Sequence, residues 1–574
     1  MAFSVYLLVP LAGISFIGWF YWKLFPTPLP GIPYTVASLD RVMGDALGIK
    51  ENARVSRESS AGIFAISRKL ASPIAQVLIT SFSAPLVIIN DPREAEDILI
   101  RRNREFDRSP LTTKLFKPML PHSTLSQMTT PELKSQKRLW SDVMGGDFLR
   151  RVVAPNIHIA ALELVELWRI KAKQAEGNPL SVTGDFGDAA LDAIYVAILG
   201  SKLGVLRRRI YKAEAEGGAK VKPVSEAEAK KLESAVIVQQ AMEYVNEIVD
   251  LGATSIYPPW TFFWLQLTPT HRRFKNIAHK EVRRLMVQAC ERFQRIETDG
   301  KREGDELETC AMDLVLRREI VAAKKAGKSS HDPTNDPAMI QELLLLLLAG
   351  HDSTANTLSW FVKIMALHPA IQTRLRNALV AAFPSHKTSP TFTAAAILDA
   401  DIPYLEATLE ETVRFSAPAG IIARLALVDT EVLGHRVPAG TNILLNTRIH
   451  ERPFEVPEHV RSATSQAAYA KRERGGVEGE AGRGLDSFEP SRWLVTEEGG
   501  KEVFDAYALP NLIFGGGLRG CFGKRLAMQE LKIIMVDLML NFEFLPLPEE
   551  LSSMAAVERV FRAPKMCYVK LKAL

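Results

Sequence analysis

Cysteine is scarce in this chain, and the spacings typical of metal sites or disulfide frameworks are missing. Four cysteines occur among 574 residues, namely Cys290, Cys310, Cys521 and Cys567. No CxxC pair and no zinc-ligand spacing joins them. This excludes a disulfide-stapled scaffold and a zinc module, and it predicts a reducing compartment with one functional thiolate.

A strong excess of charge is also missing. The 71 basic and 66 acidic side chains leave a formal net charge of +5, which is too diffuse for a nucleic-acid surface. A hydrophobic content of 47% with 24% charged residues is ordinary for a folded protein with an ample core. No internal repeat and no clear linker divides the chain, so we expect one large domain.

The first residues lack charge altogether. No charged side chain occurs from Ala2 to Trp22, and about 20 apolar residues suffice to cross a bilayer as a helix. A cleaved secretory signal is the alternative, but no basic segment precedes this stretch and no A-x-A-like site follows it. We therefore predict a membrane anchor at 1–23, a proline-rich hinge at 24–35 and one domain at 36–574. Lys23 indicates a cytoplasmic domain.

What the sequence does contain is one cysteine in a glycine-rich loop, Phe514 to Gly523, ahead of an apolar helical run. A thiolate there can be the axial ligand of a haem iron, with glycines that let the backbone pass close to a flat cofactor. Gly515-x-Gly517-x-x-Gly520 also satisfies the dinucleotide pattern GxGxxG, but too little chain follows to complete a doubly wound sheet. An inert buried thiol is the remaining alternative.

The loop resembles the signature FxxGxRxCxG of the cytochrome P-450 family, which Phe514, Gly517, Arg519, Cys521 and Gly523 match. The resemblance implies haem b ligated by the Cys521 thiolate. It also implies that Arg519 pairs with a haem propionate.

A second segment carries Glu411 and Arg414, three residues apart on one face of a predicted helix. A solvated ion pair is the ordinary interpretation of such a spacing. The segment also resembles the ExxR pair of the same family, which is buried there and completed by an arginine from a later loop. Arg492, in Phe488-Glu-Pro-Ser-Arg-Trp, stands at that position.

A third segment is the apolar run from Gln341 to Leu348, which turns polar at Ala349-Gly-His-Asp-Ser-Thr354. A mid-helix glycine and hydroxyls can loosen the helix and open a groove. The segment resembles the family's oxygen-activation motif (A/G)Gx(D/E)T(T/S). The resemblance implies that Asp352 and Ser353, with Thr354 as a stand-in hydroxyl, relay protons.

Two further positions are assigned by the resemblance. Lys137 stands where the family's WxxxR helix has an arginine that holds a haem propionate, and Leu133 stands where that helix has tryptophan. Arg424 follows a stretch of small and aliphatic residues that is expected to pass over the haem, where it suits an apolar substrate. Arg424 is expected to reach a propionate.

Three other stretches have weaker signals. The segments 204–233 and 458–484 are rich in charged residues and glycine, and we expect solvated insertions there. Tyr257 to Trp264 crowds five large aromatic residues beside prolines. Core packing and contact with a membrane explain these aromatic residues equally well.

The resemblance implies a mainly α-helical fold with a small β region, that is, an α+β cytochrome P-450 fold behind an N-terminal transmembrane helix. It implies a monooxygenase of the endoplasmic reticulum membrane, with dioxygen and an apolar small molecule as substrates. Electrons are expected from NADPH-cytochrome P-450 reductase, with cytochrome b5 as a second donor. The alternatives are a haem-thiolate isomerase or dehydratase, and a non-enzymatic haem protein with His351 as second axial ligand.

Overall fold

The fold is mainly helical with a smaller β region. A computed structural model describes residues 2–218, 225–255, 258–299, 308–325, 327, 332–384, 386, 392–472, 476 and 479–574. Within these residues, long helices pack around one hydrophobic core, and short strands form small sheets at its edges.

The helices, in chain order, are α1 (Ala2–Lys23), α2 (Ala46–Ser56), α3 (Ser59–Lys69), α4 (Pro92–Ile100), α5 (Pro110–Phe116), α6 (Pro131–Leu139), α7 (Gly146–Phe148), α8 (Ala154–Ala175), α9 (Asp185–Leu199), α10 (Val205–Glu216), α11 (Glu226–Thr254), α12 (Pro258–Leu267), α13 (Pro269–Asp299), α14 (Ala311–Lys325), α15 (Pro337–Leu367), α16 (Pro369–Ala382), α17 (Ala394–Asp399), α18 (Pro403–Ser416), α19 (Ala463–Tyr469), α20 (Lys524–Asn541) and α21 (Glu549–Ser552).

The strands are β1 (Ile74–Val77), β2 (Leu86–Ile89), β3 (Phe106–Arg108), β4 (Leu180–Ser181), β5 (Ile421–Ala426), β6 (Thr430–Val432), β7 (His435–Val437), β8 (Asn442–Asn446), β9 (Leu494–Thr496), β10 (Glu502–Phe504), β11 (Phe542–Leu545), β12 (Ala556–Glu558), β13 (Arg562–Pro564) and β14 (Tyr568–Ala573). The largest sheet has the order β1-β2-β8-β5-β3, in which only the β2–β8 pair is parallel. In the β3–β5 pair, Arg108 lies opposite Arg424.

Helix α15 is the central element of the core and packs against α9, α18 and α20. The Asp336 side chain accepts a hydrogen bond from the Ala338 N–H at 2.8 Å, and Pro337 occupies the first turn, so the start of α15 is capped. The helix ends before His368 and Pro369, because proline cannot continue it. The hydroxyl-rich segment near Ser353 is thereby held in mid-helix.

The N-terminal segment forms α1, Ala2–Lys23. Across the described residues, none of the helices combines the length and the apolar character that crossing a membrane requires. The transmembrane anchor expected at 1–23 is thus not shown, and the division into anchor, hinge and one domain stays a prediction.

The two stretches expected to be solvated insertions contain buried side chains among their described residues. In the first, α10 buries Leu206 and Ile210. In the second, α19 buries Ser465 and Tyr469. A high proportion of charged residues does not exclude an apolar face, because a helix presents its apolar and polar residues on opposite sides.

The described aromatic residues between 258 and 264 differ in burial, so core packing explains one of them and leaves the others to be explained by contact with a membrane. Phe262 on α12 is buried, whereas Trp260, Phe263 and Trp264 are 67%, 58% and 61% exposed. Tyr257 lies outside the described residues. Core packing therefore accounts for Phe262 and not for its three exposed neighbours.

Candidate active site around Cys521

The cysteine loop is an irregular turn that ends at the start of α20. Gly515 and Gly517 have φ angles of +64° and +60°, in the left-handed region that favours glycine. The Cys521 N–H donates to the Phe514 carbonyl at 2.7 Å and closes the loop. Residues 511–514 form no strand, so the strand that a dinucleotide fingerprint requires before its first glycine is missing here.

The glycines of this loop also allow close packing on α4. A Cβ atom added at Gly516 would lie 2.5 Å from Ile100 Cγ1, and one at Gly517 would lie 2.9 Å from the Leu99 carbonyl oxygen. Both distances are shorter than a carbon atom tolerates. The loop is therefore fixed against α4, in addition to the close approach to a cofactor that the sequence predicts.

The Cys521 sulfur has an electrostatic setting that the other cysteines lack. Burial raises the pKa of its thiol, while the N–H groups of Gly523 and Lys524 and the charges of Lys137 and Lys524 lower it. The accessible surface of Cys521 faces an internal cavity. A metal ion at the sulfur would favour the thiolate outright, so Cys521 is a suitable ligand.

The other three cysteines are different in kind. Burial raises the pKa of Cys290 to about 11 and that of Cys567 to about 12, and it raises the pKa of Cys310 further. None of the three lines the cavity. Cys310 and Cys567 are buried and Cys290 is half-buried, and a raised pKa disfavours the reactive thiolate form at all three.

The cavity has a volume of about 300 Å³ and lies between α15, α20 and the cysteine loop. Most of its wall is apolar, and the apolar side chains include those of Ile194, Ile198, Leu345, Leu346, Ala419 and Phe561. Space beside α15 is tight, because a Cβ atom at Gly350 would lie 2.8 Å from Ile194 Cγ1. The cavity therefore suits an apolar molecule next to a flat cofactor.

A cluster of cations, here called the cationic cradle, lines the same cavity and consists of Arg108, Lys137 and Arg519. Lys137 Nζ donates to the Leu518 carbonyl at 2.6 Å, and Arg519 Nη2 donates to the Gln127 carbonyl at 2.6 Å. Burial and the charges of Arg519 and Arg108 lower the pKa of Lys137 to about 8. These cations repel one another without a full set of anionic partners.

Several N–H groups of the cationic cradle lack an acceptor, which indicates that an anionic group binds there. Arg108 Nε and Arg519 Nε and Nη1 are buried and have no hydrogen-bond acceptor among the described residues. Unsatisfied buried donors are costly, and guanidinium groups match carboxylates in geometry. The cradle therefore fits the carboxylates of a haem, and it includes the predicted residues Lys137 and Arg519.

Arg424 has a less direct position than the sequence predicts. It is buried opposite Arg108 in the β3–β5 pair, but it does not line the cavity. Burial and the charge of Arg519 lower its pKa to about 10. Arg424 thus adds positive potential behind the cradle.

Two hydroxyl-bearing residues of the predicted oxygen-activation segment lie in the cavity wall. Ser353 and Thr354 line the wall, and each hydroxyl bonds to the carbonyl four residues earlier, at 3.0 Å and 3.1 Å. Helix α15 runs without a break through these residues, so the expected loosening is not seen. Asp352 is not part of the wall. Burial raises its pKa, with His351, Arg559 and Asn356 acting in the opposite direction.

His351 is engaged away from the cavity. Its Nδ1 lies 2.8 Å from the Leu347 carbonyl oxygen, and its Nε2 lies 3.3 Å from Asn246 Nδ2. It is not a wall residue. The second axial ligand that a passive electron carrier requires is therefore not supplied by His351.

The second predicted constellation is a buried ion cluster that consists of Glu411, Arg414 and Arg492. Arg414 Nε and Nη2 donate to the two Glu411 carboxylate oxygens at 2.7 and 2.8 Å, and Arg492 Nε donates to Oε1 at 3.0 Å. Burial acts to raise the pKa of the Glu411 carboxyl. The hydrogen bonds and the two positive charges outweigh that effect and hold the pKa below its usual range. The cluster joins α18 to the segment that contains Arg492, and none of its three residues lines the cavity, although Val413 between Glu411 and Arg414 does.

Arg108 and Glu530 are two charged residues among the wall residues that the sequence interpretation missed. Arg108 ends the short strand β3, and only the β3–β5 pairing brings it to the cavity. Glu530 is a buried carboxyl on the α20 face that also carries Leu526, Ala527 and Leu531. The helical spacing from Leu526 to Glu530 was a usable signal for Glu530, whereas a lone arginine gives none.

The fold and this cavity are those of a haem-thiolate protein. The chain matches the Cytochrome P-450 family model over residues 68–459 and 486–570. It therefore belongs to the cytochrome P-450 family, whose members bind haem through a cysteine thiolate, and it is a cytochrome P-450 monooxygenase.

Similar proteins agree with that assignment. The chain is 32% identical to cytochrome P-450 monooxygenase TRI13 of Fusarium sporotrichioides, with 96% of each chain covered. It is 31% identical to cytochrome P-450 monooxygenase GME11363 of Pestalotiopsis microspora, again with 96% of each covered. A crystal structure of a cytochrome P-450, CYP102L1, has the same fold with a TM-score of 0.64 at 17% identity, covering 96% of this chain and 100% of that one.

Proposed function

We propose that this enzyme inserts one atom of dioxygen into an apolar organic molecule, with electrons from a separate NADPH-dependent reductase. The observation that carries the proposal is the single cavity that unites the Cys521 thiol, the cationic cradle, an apolar wall and the hydroxyls of α15. The other oxygen atom leaves as water.

Each part of the cavity has a role in this proposal. Haem, when bound, activates dioxygen, and a thiolate ligand favours cleavage of the O–O bond. Cys521 supplies that ligand, and the N–H groups of Gly523 and Lys524 stabilise its negative charge. Arg108, Lys137 and Arg519 hold the carboxylates of the cofactor.

The substrate is bound by shape and burial. Ile194, Leu345 and Phe561 contribute apolar surface to the wall, and burying such surface gives about 25 cal/mol per Å². Secondary metabolites, fatty acids and aromatic compounds all fit this description. We favour a role in fungal secondary metabolism, because TRI13 and GME11363 are fungal monooxygenases.

The partners and the location follow from the same proposal. NADPH-cytochrome P-450 reductase is the electron donor, and cytochrome b5 is a second donor. We infer attachment to the endoplasmic reticulum membrane from the uncharged segment Ala2 to Trp22. The exposed Trp260 and Trp264 support it, since tryptophan is enriched at membrane interfaces.

An isomerase or dehydratase of the same fold is the alternative. Such an enzyme needs no external electrons and no proton delivery. Ser353 and Thr354 place hydroxyls in the cavity wall, which favours oxygen activation.

The test begins with a screen of apolar compounds for a spin shift of the haem spectrum in the purified protein. A binding compound is then incubated with reductase, NADPH and isotopically labelled dioxygen. We expect one labelled oxygen atom in the product, detected by mass spectrometry. Turnover without reductase and NADPH, or a product free of label, would favour the isomerase alternative.

A further inference from the structure

A second buried carboxyl group in the cavity wall lies on α15, at Glu342. This residue is 4% exposed. Its Oε1 accepts a hydrogen bond from Thr124 Oγ1 at 2.7 Å, and its Oε2 accepts one from the Thr124 N–H at 2.8 Å. Because both oxygens bond to the same residue, they fix the orientation of Thr124 as well as its position.

Thr124 belongs to an irregular stretch, residues 122–129, here called the wall segment. Its regular structure is a single 3-10 turn of three residues, and no strand pairs with it. Backbone groups outside helices and sheets must find other partners. Two neighbouring side chains of α15 supply them, since Gln341 Oε1 accepts the His122 N–H at 2.8 Å, next to the bonds between Glu342 and Thr124. The position of the wall segment therefore depends on α15.

The wall segment in turn holds two cations of the cationic cradle. Arg108 Nη1 donates to the Leu125 carbonyl at 3.4 Å, and Arg519 Nη2 donates to the Gln127 carbonyl at 2.6 Å. Because a guanidinium group is planar and rigid, a bond from one of its N–H groups restricts the direction of the others. The wall segment thus sets where the unpaired N–H groups of Arg108 and Arg519 point.

The third cation of the cradle is joined to Glu342 through α6. Gln136, the residue before Lys137, donates its Nε2 to Glu342 Oε2 at 3.2 Å and accepts a hydrogen bond from Gln127 Nε2 at 2.9 Å. Burial raises the pKa of Glu342, while the Thr124 donors and the charges of the nearby cations act in the opposite direction. The wall segment, α6 and α15 therefore meet at one carboxyl group.

We propose that Glu342 is a positioning residue for haem, which joins the wall segment and α6 to α15 and so holds the cationic cradle where it binds the cofactor carboxylates. Glu342 acts through Thr124, Gln136 and the cations rather than on a reacting atom. This role is independent of the proposed function, because haem must be held in the cavity whichever reaction it catalyses.

A purely electrostatic role is the competing explanation. A buried anion beside Arg108 and Lys137 favours their charged forms whether or not it bonds to Thr124. Glu342→Gln separates the two explanations, because the amide oxygen accepts from the Thr124 N–H and the amide NH2 donates to the Thr124 hydroxyl. That variant keeps the bonds and loses the charge, whereas Glu342→Leu loses both.

The test measures how fast haem leaves the full-length, haem-loaded protein for an acceptor protein. We expect Glu342→Leu to lose haem about tenfold faster than the parent, since hydrogen bonds to a charged group are removed. Glu342→Gln should lose haem at most about twofold faster, because its bonds remain. Thr124→Val keeps the charge but removes one donor, so its haem loss should be a few-fold faster than in the parent.

The dimethyl ester of haem provides a matched ligand without carboxylates. In the parent protein, haem should be retained longer than its ester, because only haem pairs with the cationic cradle. Glu342→Leu should speed the loss of haem and leave the loss of the ester nearly unchanged, so the ratio of the two rates changes about tenfold. A general loss of stability would instead speed the loss of both ligands equally.

Asp192→Leu is the matched protein control. Asp192 is a buried carboxyl group on α9 that accepts the backbone N–H groups of residues 204–206 at 2.8–3.0 Å, and it does not line the cavity. Its loss should lower the midpoint of urea unfolding without changing the ratio of haem loss to ester loss. Hydrogen exchange at the Thr124 N–H reports the bond itself, and it should be faster in Glu342→Leu and not in Asp192→Leu.

Equal rates of haem loss from Glu342→Gln and Glu342→Leu would overturn the proposal in favour of charge alone. An equal acceleration of haem and ester loss in Glu342→Leu would also overturn it. If Glu342→Leu does not load haem, Thr124→Val and Glu342→Gln decide, and slower haem loss from Thr124→Val than from Glu342→Gln would contradict the proposal. A failure of the proposed function would leave all these rates unaffected, because none of them depends on dioxygen, electrons or product.

Discussion

Two groups of buried arginines in this molecule differ in how fully their charges and N–H groups are paired. In the ion cluster, Arg414 and Arg492 share one carboxylate, and Arg414 Nη2 also bonds the Ser487 carbonyl at 2.9 Å. In the cationic cradle, Arg519 Nε lies 3.9 Å from Asp107 Oδ1, but Arg108 Nε and Arg519 Nε and Nη1 are buried without a hydrogen-bond acceptor among the described residues. Burial lowers the pKa of Arg108, with the neighbouring charges of Arg519 and Arg424 adding to the effect.

This difference indicates that the ion cluster stabilises the fold, whereas the cationic cradle binds a ligand. A satisfied buried cluster specifies how its segments pack. An unsatisfied one is strained until anions arrive, which is typical of functional sites. Carboxylates of haem fit the second description, so the predictions below remove one charge at a time from each group.

The largest effect is expected from Glu411→Ala. It leaves Arg414 and Arg492 buried without their shared carboxylate, and breaking a buried pair costs about 3–5 kcal/mol. The yield of folded, haem-loaded protein should fall steeply, as measured by urea unfolding and haem content. Arg436→Ala, in an exposed pair with Asp429, is the matched control and should cost at most about 1 kcal/mol. Equal stability of the two variants would show that the cluster does not hold the fold.

A smaller and opposite effect is expected from Arg108→Gln. Like charges opposite each other in a sheet are destabilising, so the haem-free variant should be at least as stable as the parent. Haem should dissociate about tenfold faster, because a charge-assisted hydrogen bond contributes about 1.5–3 kcal/mol. Transfer of haem to an acceptor protein measures the rate. A loss of stability in the haem-free state with normal haem retention would show that Arg108 stabilises the fold and does not bind haem.

The smallest effect is a pH dependence of haem retention. With its pKa lowered to about 8, Lys137 loses its charge as the pH rises through 8 in the haem-free state, so haem affinity should fall by a few-fold. The sign for stability is opposite. Unfolded lysine stays protonated to about pH 10.4, so the free energy of unfolding of the haem-free protein should rise between about pH 8 and that value.

The matched control for this dependence is Lys137→Arg, because arginine keeps its charge across the range. Its haem affinity should be flat from pH 7 to 9. The same fall in both proteins would assign the dependence to another group.

The cysteine loop and the ion cluster were predictable because each rests on residues close in sequence. The spacing of Phe514, Gly517 and Cys521 is a local pattern, and so is that of Glu411 and Arg414. The bonding of Arg492 to Glu411 needed family resemblance as well, since 81 residues separate the two.

Other parts of the site depended on tertiary structure. Arg108 reaches the cavity only through pairing of β3 with β5, and Glu530 only through packing of α20 on α15. Asp352 was placed in the right segment but not in the wall, because a motif gives order and not the direction of each side chain. The buried faces of α10 and α19 were missed because charged composition concealed their periodicity.

The central claim is that the cradle and the loop form one haem site with Cys521 as the ligand, and the spectrum of the reduced carbon-monoxide complex tests it most directly. The parent protein should show the red-shifted band of thiolate-ligated haem, and Cys521→Ala and Cys521→His should lose it together with all oxygenation. Persistence of that band in Cys521→Ala would contradict the account, since no other cysteine lines the cavity.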